Sequence, residues 1–211
     1  MKIAICVCNV EQNSIIGYLQ DYLAFLQDLN YEVDYFVHGW DDTLDEITQL
    51  ASRLNIPSTN YLIEPVTKRT NIVESSNLPK SILTKATVFY SLMRAANLKT
   101  NYELKNHIMY DMCIGICGNI NYATYHSIMR KKFISPNSNT VYTFNATASK
   151  QIPFFNVPHE FFYSDTLTFN KIAEFYRFLP ELSTIATYDL PLAFYIKMLN
   201  MENKNQIGIG L

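Results

Sequence analysis

The chain has 211 residues, of which 48% are hydrophobic, 14% aromatic and 17% charged, and its net charge is -2. That length suits one domain with a sizeable core, although the charged share falls below the usual quarter of a soluble chain. The slight acidity excludes a dedicated nucleic-acid binder, which needs a basic stripe to displace counterions.

Lys2 to Cys8 form a continuous apolar run of small and β-branched residues. Such a run marks a strand buried on both faces, as in a parallel sheet. A polar turn, Asn9 to Asn13, leads into a helix over Ser14 to Leu29, where Ile15, Tyr18, Leu19, Tyr22, Phe25, Leu26 and Leu29 recur at helical spacing. Val33 to Trp40 read as a second strand ending at Asp41 and Asp42. Thr43 and Glu46 have capping-box spacing ahead of a helix that runs to about Leu54. Pro57 breaks that pattern, and Asn60 to Glu64 read as a third strand. This β-α-β-α-β order favours a right-handed, doubly wound sheet.

Pro65 to Pro79 show no periodicity and read as a long surface loop, a kind of segment that is often functional. Ser81 to about Asn106 is a long helix, followed by a buried strand over Asp111 to Ile116. Tyr122 to Phe133 read as a short helix. Thr140 to Asn145 and Pro153 to Tyr163 read as strands added in antiparallel fashion. Thr168 to Leu179 and Leu190 to Met201 read as helices, and Asn203 to Leu211 as a polar tail. No internal repeat or linker interrupts the chain, so residues 1–211 are taken as a single domain. It falls into two halves, 1–121 and 122–211.

Cys6, Cys8, Cys113 and Cys117 all lie in apolar runs, unlike a disulfide framework, which points to a reducing compartment. The first residues are too short an apolar run for a signal peptide, and no run reaches the ~18 residues a membrane helix needs. The expectation is a cytoplasmic protein with no transmembrane segment. No Gly-x-Gly-x-x-Gly, P-loop, His-Glu-x-x-His or Gly-x-Ser-x-Gly motif is present, which removes the common alternatives for an α/β chain.

Two stretches carry a resemblance. Val33-Asp34-Tyr35-Phe36-Val37-His38-Gly39-Trp40-Asp41 is one. The other runs from Phe89-Tyr90-Ser91 through Tyr102-Glu103 to Tyr110-Asp111-Met112-Cys113-Ile114. A weaker third is His159-Glu160-Phe161-Phe162-Tyr163-Ser164. In this order they resemble small viral and bacterial glycosyltransferases of the GT-A type, found in capsule and glycan gene clusters. The resemblance implies an α/β fold: a Rossmann-like, GT-A-type mixed sheet, mostly parallel and flanked by helices. It also implies transfer of a sugar from a nucleotide-sugar donor to a glycan or other hydroxyl acceptor, with 1–121 as the nucleotide-binding half and 122–211 as the acceptor-side half. The family's Arg-x-Arg-x-Asp pattern is degenerate here, with Gly115, Cys117 and Asn119 at its places.

In an open α/β sheet, ligands bind just past the carboxyl ends of the strands. The expected nucleotide-sugar-binding residues are therefore Cys8, Asn9 and Val10 after the first strand, His38 and Asp41 at the second, and Asn119 and Asn121 after the fourth. Asn119 and Asn121 keep the spacing of an acidic metal-binding pair without its charge. Neutral ligands hold Mn or Mg weakly, so no cofactor is assigned. Arg69 or Lys85 could neutralise the diphosphate instead, since fixed positive charge can do a metal's work there. Asp165 and Glu160 are the candidate catalytic bases for the acceptor hydroxyl, with helix capping the other reading of Asp165. The loss of the acidic and arginine positions leaves a second reading open. In it the chain is a degenerate, non-catalytic glycan- or nucleotide-binding or interaction protein of the same fold.

Overall fold

In the computed structural model the described residues are 1–8, 14–75, 78, 80–117, 133–143, 161–185, 195–196 and 198–205. The expected tandem of strands and helices is present. β1 (Lys2–Cys8) leads to α1 (Ser14–Asp28), β2 (Glu32–Trp40), α2 (Leu44–Arg53) and β3 (Tyr61–Glu64). Both helices stop at an asparagine in the left-handed region, Asn30 at φ 59 and Asn55 at φ 52, a conformation asparagine tolerates better than most residues.

The capping box does not form. Asp41–Thr43 make a short 3-10 turn, and the Thr43 hydroxyl turns back to donate to the Trp40 carbonyl at 3.0 Å rather than capping α2. The expected loop after β3 is mostly a helix, α3 (Val66–Ser75). Its apolar periodicity is faint because nothing from Val66 to Glu74 is fully buried. α4 (Lys80–Asn106) then spans 27 residues and leads into β4 (Met112–Cys117).

The second half adds β5 (Thr140–Thr143), β6 (Phe161–Ser164), α5 (Thr166–Ala173), α6 (Phe175–Ile185) and β7 (Glu202–Asn205). The single helix expected over Thr168 to Leu179 is thus two, parted at Glu174. Part of the polar tail is an edge strand: β7 runs parallel to β5, with Thr140 opposite Glu202. The helix expected at Tyr122–Phe133 and the first part of the strand expected at Pro153–Tyr163 lie outside the described residues but for Phe133, and so does half of the helix expected at Leu190–Met201, whose Tyr195, Ile196 and Met198 are helical.

The seven strands form one sheet in the order β3-β2-β1-β4-β6-β5-β7. β3, β2, β1 and β4 are mutually parallel, and β6 alone runs antiparallel to its neighbours β4 and β5. Strand alternation sorts the core into two layers. Ala4, Cys6, Cys8, Phe36 and Cys113 face α4. Ile3, Ile5, Val7, Val37 and Ile114 face α1 and α2. Three of the cysteines, Cys6, Cys8 and Cys113, are buried thiols outside any disulfide, and burial pushes the Cys113 thiol up to about 11. Among the described residues no group of His, Cys, Asp or Glu could hold a metal.

Gly115 is where β4 meets β6. A Cβ there would lie 2.5 Å from the Phe162 ring, which is itself buried and stacked on Phe169 at 5.4 Å. A Gly115→Ala substitution is expected to cost about 1–3 kcal/mol by overpacking, read as a lower denaturation midpoint with unchanged m-value.

Candidate functional site

The carboxyl ends of β2 and β3 lie side by side, with Trp40 in register with Glu64 and His38 with Leu62. The period of two puts Phe36, His38 and Trp40 on one face of β2, the face covered by α4. From α4, Tyr90 and Arg94 reach the same point one turn apart. Lys68 of α3 lies four residues beyond Glu64 and folds back over it.

These side chains converge on the Glu64 carboxylate. Its Oε1 accepts from Lys68 Nζ at 2.8 Å and pairs with Arg94 at 3.2 Å. Its Oε2 accepts from the Tyr90 hydroxyl at 2.8 Å and from His38 Nε2 at 3.1 Å. Burial by itself would raise the Glu64 pKa. The hydrogen bonds from Lys68, Tyr90 and His38, with the Arg94 charge, outweigh it and bring the group down to about 2. His38 is fully buried, and that burial lowers it to about 4 despite the carboxylate beside it. The pair at neutral pH is therefore an imidazole donating Nε2–H to a carboxylate.

Around this hub stand aromatic rings. Trp40 stacks on Tyr90 at 5.7 Å, His38 meets Trp40 edge-on at 5.0 Å, and Tyr176 meets Tyr90 edge-on at 5.2 Å. Lys68 also lies 5.3 Å from the Tyr90 ring centre, within cation–π range. Three buried polar atoms, His38 Nδ1, Trp40 Nε1 and Arg94 Nε, have no hydrogen-bond partner among the described residues.

Just outside the hub, Asp41 Oδ1 accepts from the Val66 amide at 2.8 Å, which caps α3 from another strand. Asp42 pairs with Arg69 at 2.5 Å. The cluster thus gathers carboxylates from β2 and β3 and cations from α3 and α4 at the edge where α/β sheets bind ligands.

The expected site residues are only partly brought together. His38, Asp41 and Arg69 join this cluster. Arg69 is held in an ion pair on a helix, not carried on a mobile loop. Lys85 falls in the first turns of α4. Cys8 is fully buried, its thiol donating to the Ile116 carbonyl at 3.5 Å. Asn9, Val10, Asn119, Asn121 and Glu160 lie outside the described residues.

Asp165 is placed elsewhere. β6 runs against the parallel strands and pairs Ser164 with Cys113, so Asp165 emerges at their amino ends, across the sheet from Glu64. There it caps α5, accepting from the amides of Leu167 at 3.0 Å and Thr168 at 3.1 Å and from the Thr168 hydroxyl. The capping reading accounts for its carboxylate, and the structure does not bring it to the carboxyl ends of the parallel strands.

Sequence reasoning missed Glu64, Tyr90 and Arg94. One signal was available for Glu64, a lone acid closing an apolar strand with a lysine four residues on. Nothing local pointed to Tyr90 or Arg94, which lie in the middle of a helix.

The hub carries a pH signature. Unfolded His38 takes up a proton near pH 6.5, but folded His38 resists until about 4. Below pH 6.5 the unfolded state therefore binds more protons, and stability falls as pH drops toward 4. For this one buried group the loss is about 3 kcal/mol. Glu64 extends the decline from its ordinary carboxylate range down to about 2. His38→Gln is expected to flatten the pH 6.5 to 4 limb of a stability-against-pH curve measured by urea unfolding.

Comparison with known proteins finds no matching family model, curated protein or solved structure. Among the described residues, no helix is long and apolar enough to cross a membrane.

Proposed function

We propose that the chain is a glycosyltransferase of the GT-A type that moves a sugar from a nucleotide-sugar to a glycan or other hydroxyl acceptor. The observation that carries this reading is the sheet itself. A dinucleotide fold needs two parallel mononucleotide halves. This sheet has one, β3-β2-β1-β4, and where a second would begin it places the antiparallel β6. That arrangement suits one nucleotide at the β1–β4 crevice and a different molecule beside it.

In this reading the turn after Cys8 with Asn9 and Val10, and the β2 end at Asp41, hold the nucleoside. Asn119 and Asn121 flank the diphosphate, and Arg69 or Lys85 neutralises its charge. The acceptor oxygen attacks the anomeric carbon, the bond from that carbon to the diphosphate oxygen breaks, and a base takes the hydroxyl proton. Glu160 is the preferred base, because it precedes Phe161, which pairs with Ile116 at the carboxyl end of β4. Asp165 acts as a cap. Glu160→Gln is then expected to abolish transfer, and Asp165→Asn to lower stability without a specific loss of turnover. The reverse pattern would remove Glu160 from the mechanism.

A second reading, a non-catalytic binding protein of the same fold, draws support from Gly115. The first arginine of the family pattern would fall there, where even a Cβ meets the Phe162 ring at 2.5 Å.

A thermal-shift screen separates the two. UDP, GDP, CMP, TDP and their sugars are each added with and without Mn²⁺. A bound ligand at about 100 times its Kd adds ~2.7 kcal/mol. One nucleotide that stabilises without metal and whose sugar conjugate is consumed supports the transferase. Binding without turnover supports the second reading, and no shift with any ligand overturns both nucleotide-based assignments.

A further inference from the structure

We propose that α3 is a lid latched over the carboxyl ends of β2 and β3, and that a diphosphate-bearing ligand with a planar ring opens it by drawing Lys68 and Arg69 off their carboxylates. The ligand class rests on the nucleotide-sugar reading, whereas the latch stands on geometry alone.

Several polar contacts hold α3. No residue from Val66 to Glu74 is fully buried. The helix is tied down by the Asp41 cap on Val66, by Arg69–Asp42 and by Lys68–Glu64. Its apolar anchor is Ile72 against the Trp40–Tyr90–Met93 cluster. The Lys68 side chain is 46% exposed and that of Asp42 38%, so water and salt reach both ion pairs. Pairs of this kind hold weakly and are screened, which places α3 at the low-stability end of the molecule.

Opening leaves no stranded charge. Without Lys68, Glu64 keeps Arg94, Tyr90 and His38, and Asp42 returns to solvent. The freed Lys68 and Arg69 present adjacent cations to a diphosphate. Beneath the lid the Trp40 ring lies stacked on Tyr90, almost fully buried, with its indole N–H lacking a partner among the described residues. A planar ring stacking on the indole once α3 has moved, with a separate acceptor atom of the ligand lying in the indole plane, would engage both the face of Trp40 and that donor.

Trp40 is the only tryptophan, so its emission reports the lid. Hydrogen exchange of the full chain gives the second readout. Raising NaCl from about 0.1 M to about 1 M shortens the Debye length from roughly 10 Å to roughly 3 Å. α3 amides are then expected to exchange about tenfold faster, with a red shift of Trp40, while β1, β2 and β4 keep their protection. The Lys68→Gln/Arg69→Gln double variant should show this open pattern already at low salt. At fixed ionic strength, pyrophosphate should open α3 in the wild type and leave the double variant unchanged. UDP or GDP should in addition quench Trp40. Unchanged α3 exchange at high salt, or a rise shared by the central strands, overturns the lid. Salt-driven opening with no response to either phosphate probe overturns the ligand class and leaves the latch established. The nucleotide-sugar reading fails separately, through a blank thermal-shift screen.

Discussion

Glu103→Ala is expected to destabilise the fold by about 3–5 kcal/mol, the usual cost of removing one partner of a buried ion pair. Lys99 is fully buried, and its Nζ donates to Glu103 Oε2 at 2.8 Å and to the Thr166 hydroxyl at 2.6 Å. Glu103 Oε1 accepts in turn from the Thr166 hydroxyl at 2.9 Å and the Tyr110 amide at 3.2 Å. The carboxylate thereby ties the end of α4 to the entry of β4 and the start of α5. Removing it strands an ammonium, a hydroxyl and an amide away from water. The paired replacement Lys99→Met/Glu103→Leu removes both charges and should recover much of the loss. Urea unfolding of the single and double variants checks this. Equal losses in both would mean that the pair's charges are not what holds this corner together.

Glu64→Ala is the second large effect, about 3 kcal/mol or more by the same rule. Here the loss reaches the proposed site directly. Lys68, Arg94, Tyr90 and His38 all lose their common acceptor, and like charges are left facing each other. The variant should show faster hydrogen exchange in α3 and a red-shifted Trp40, together with stronger stabilisation by any nucleotide the wild type binds, because the latch that the ligand must open is already released. Glu64→Gln separates shape from charge: it can still accept hydrogen bonds but no longer neutralises two cations. It should fall between wild type and Glu64→Ala in stability and lose the part of the acid response that belongs to Glu64. A Glu64→Ala protein with wild-type stability and unchanged α3 exchange would remove Glu64 as the organising group.

The two networks differ in kind. Lys99 and Glu103 sit at the amino-end side of the parallel strands, sealed from solvent, where a satisfied pair serves only to position elements. The Glu64 cluster lies at the carboxyl ends, has cations on its solvent side and retains buried donors with no partner among the described residues. Surplus donors at the end of a sheet where ligands bind are a reason to look for a ligand there. The same surplus has no such meaning in a closed core.

The amino-acid sequence by itself determined the parallel half of the molecule. The unbroken apolar runs at Lys2 to Cys8 and Asp111 to Ile116, and the helical spacing over Ser14 to Leu29, are local signals that burial enforces residue by residue. They also mark the edge at which a site should lie, and His38 and Asp41 were legible on that ground. Tertiary structure alone decided the rest. α3 has no buried stripe to announce it and is held by charges whose partners lie on β2 and β3. β7 pairs through backbone hydrogen bonds, which leave no mark in a polar tail. The reversed direction of β6 carries Asp165 to the far end of the sheet, although its place in the later part of the chain suggested the acceptor site. Glu64 of β3 gathers residues 38, 68, 90 and 94, which come from three further elements, β2, α3 and α4, with no periodicity common to them. Periodicity reports which face of an element is buried; the convergence of side chains from different elements depends on strand order and direction, which no local pattern encodes.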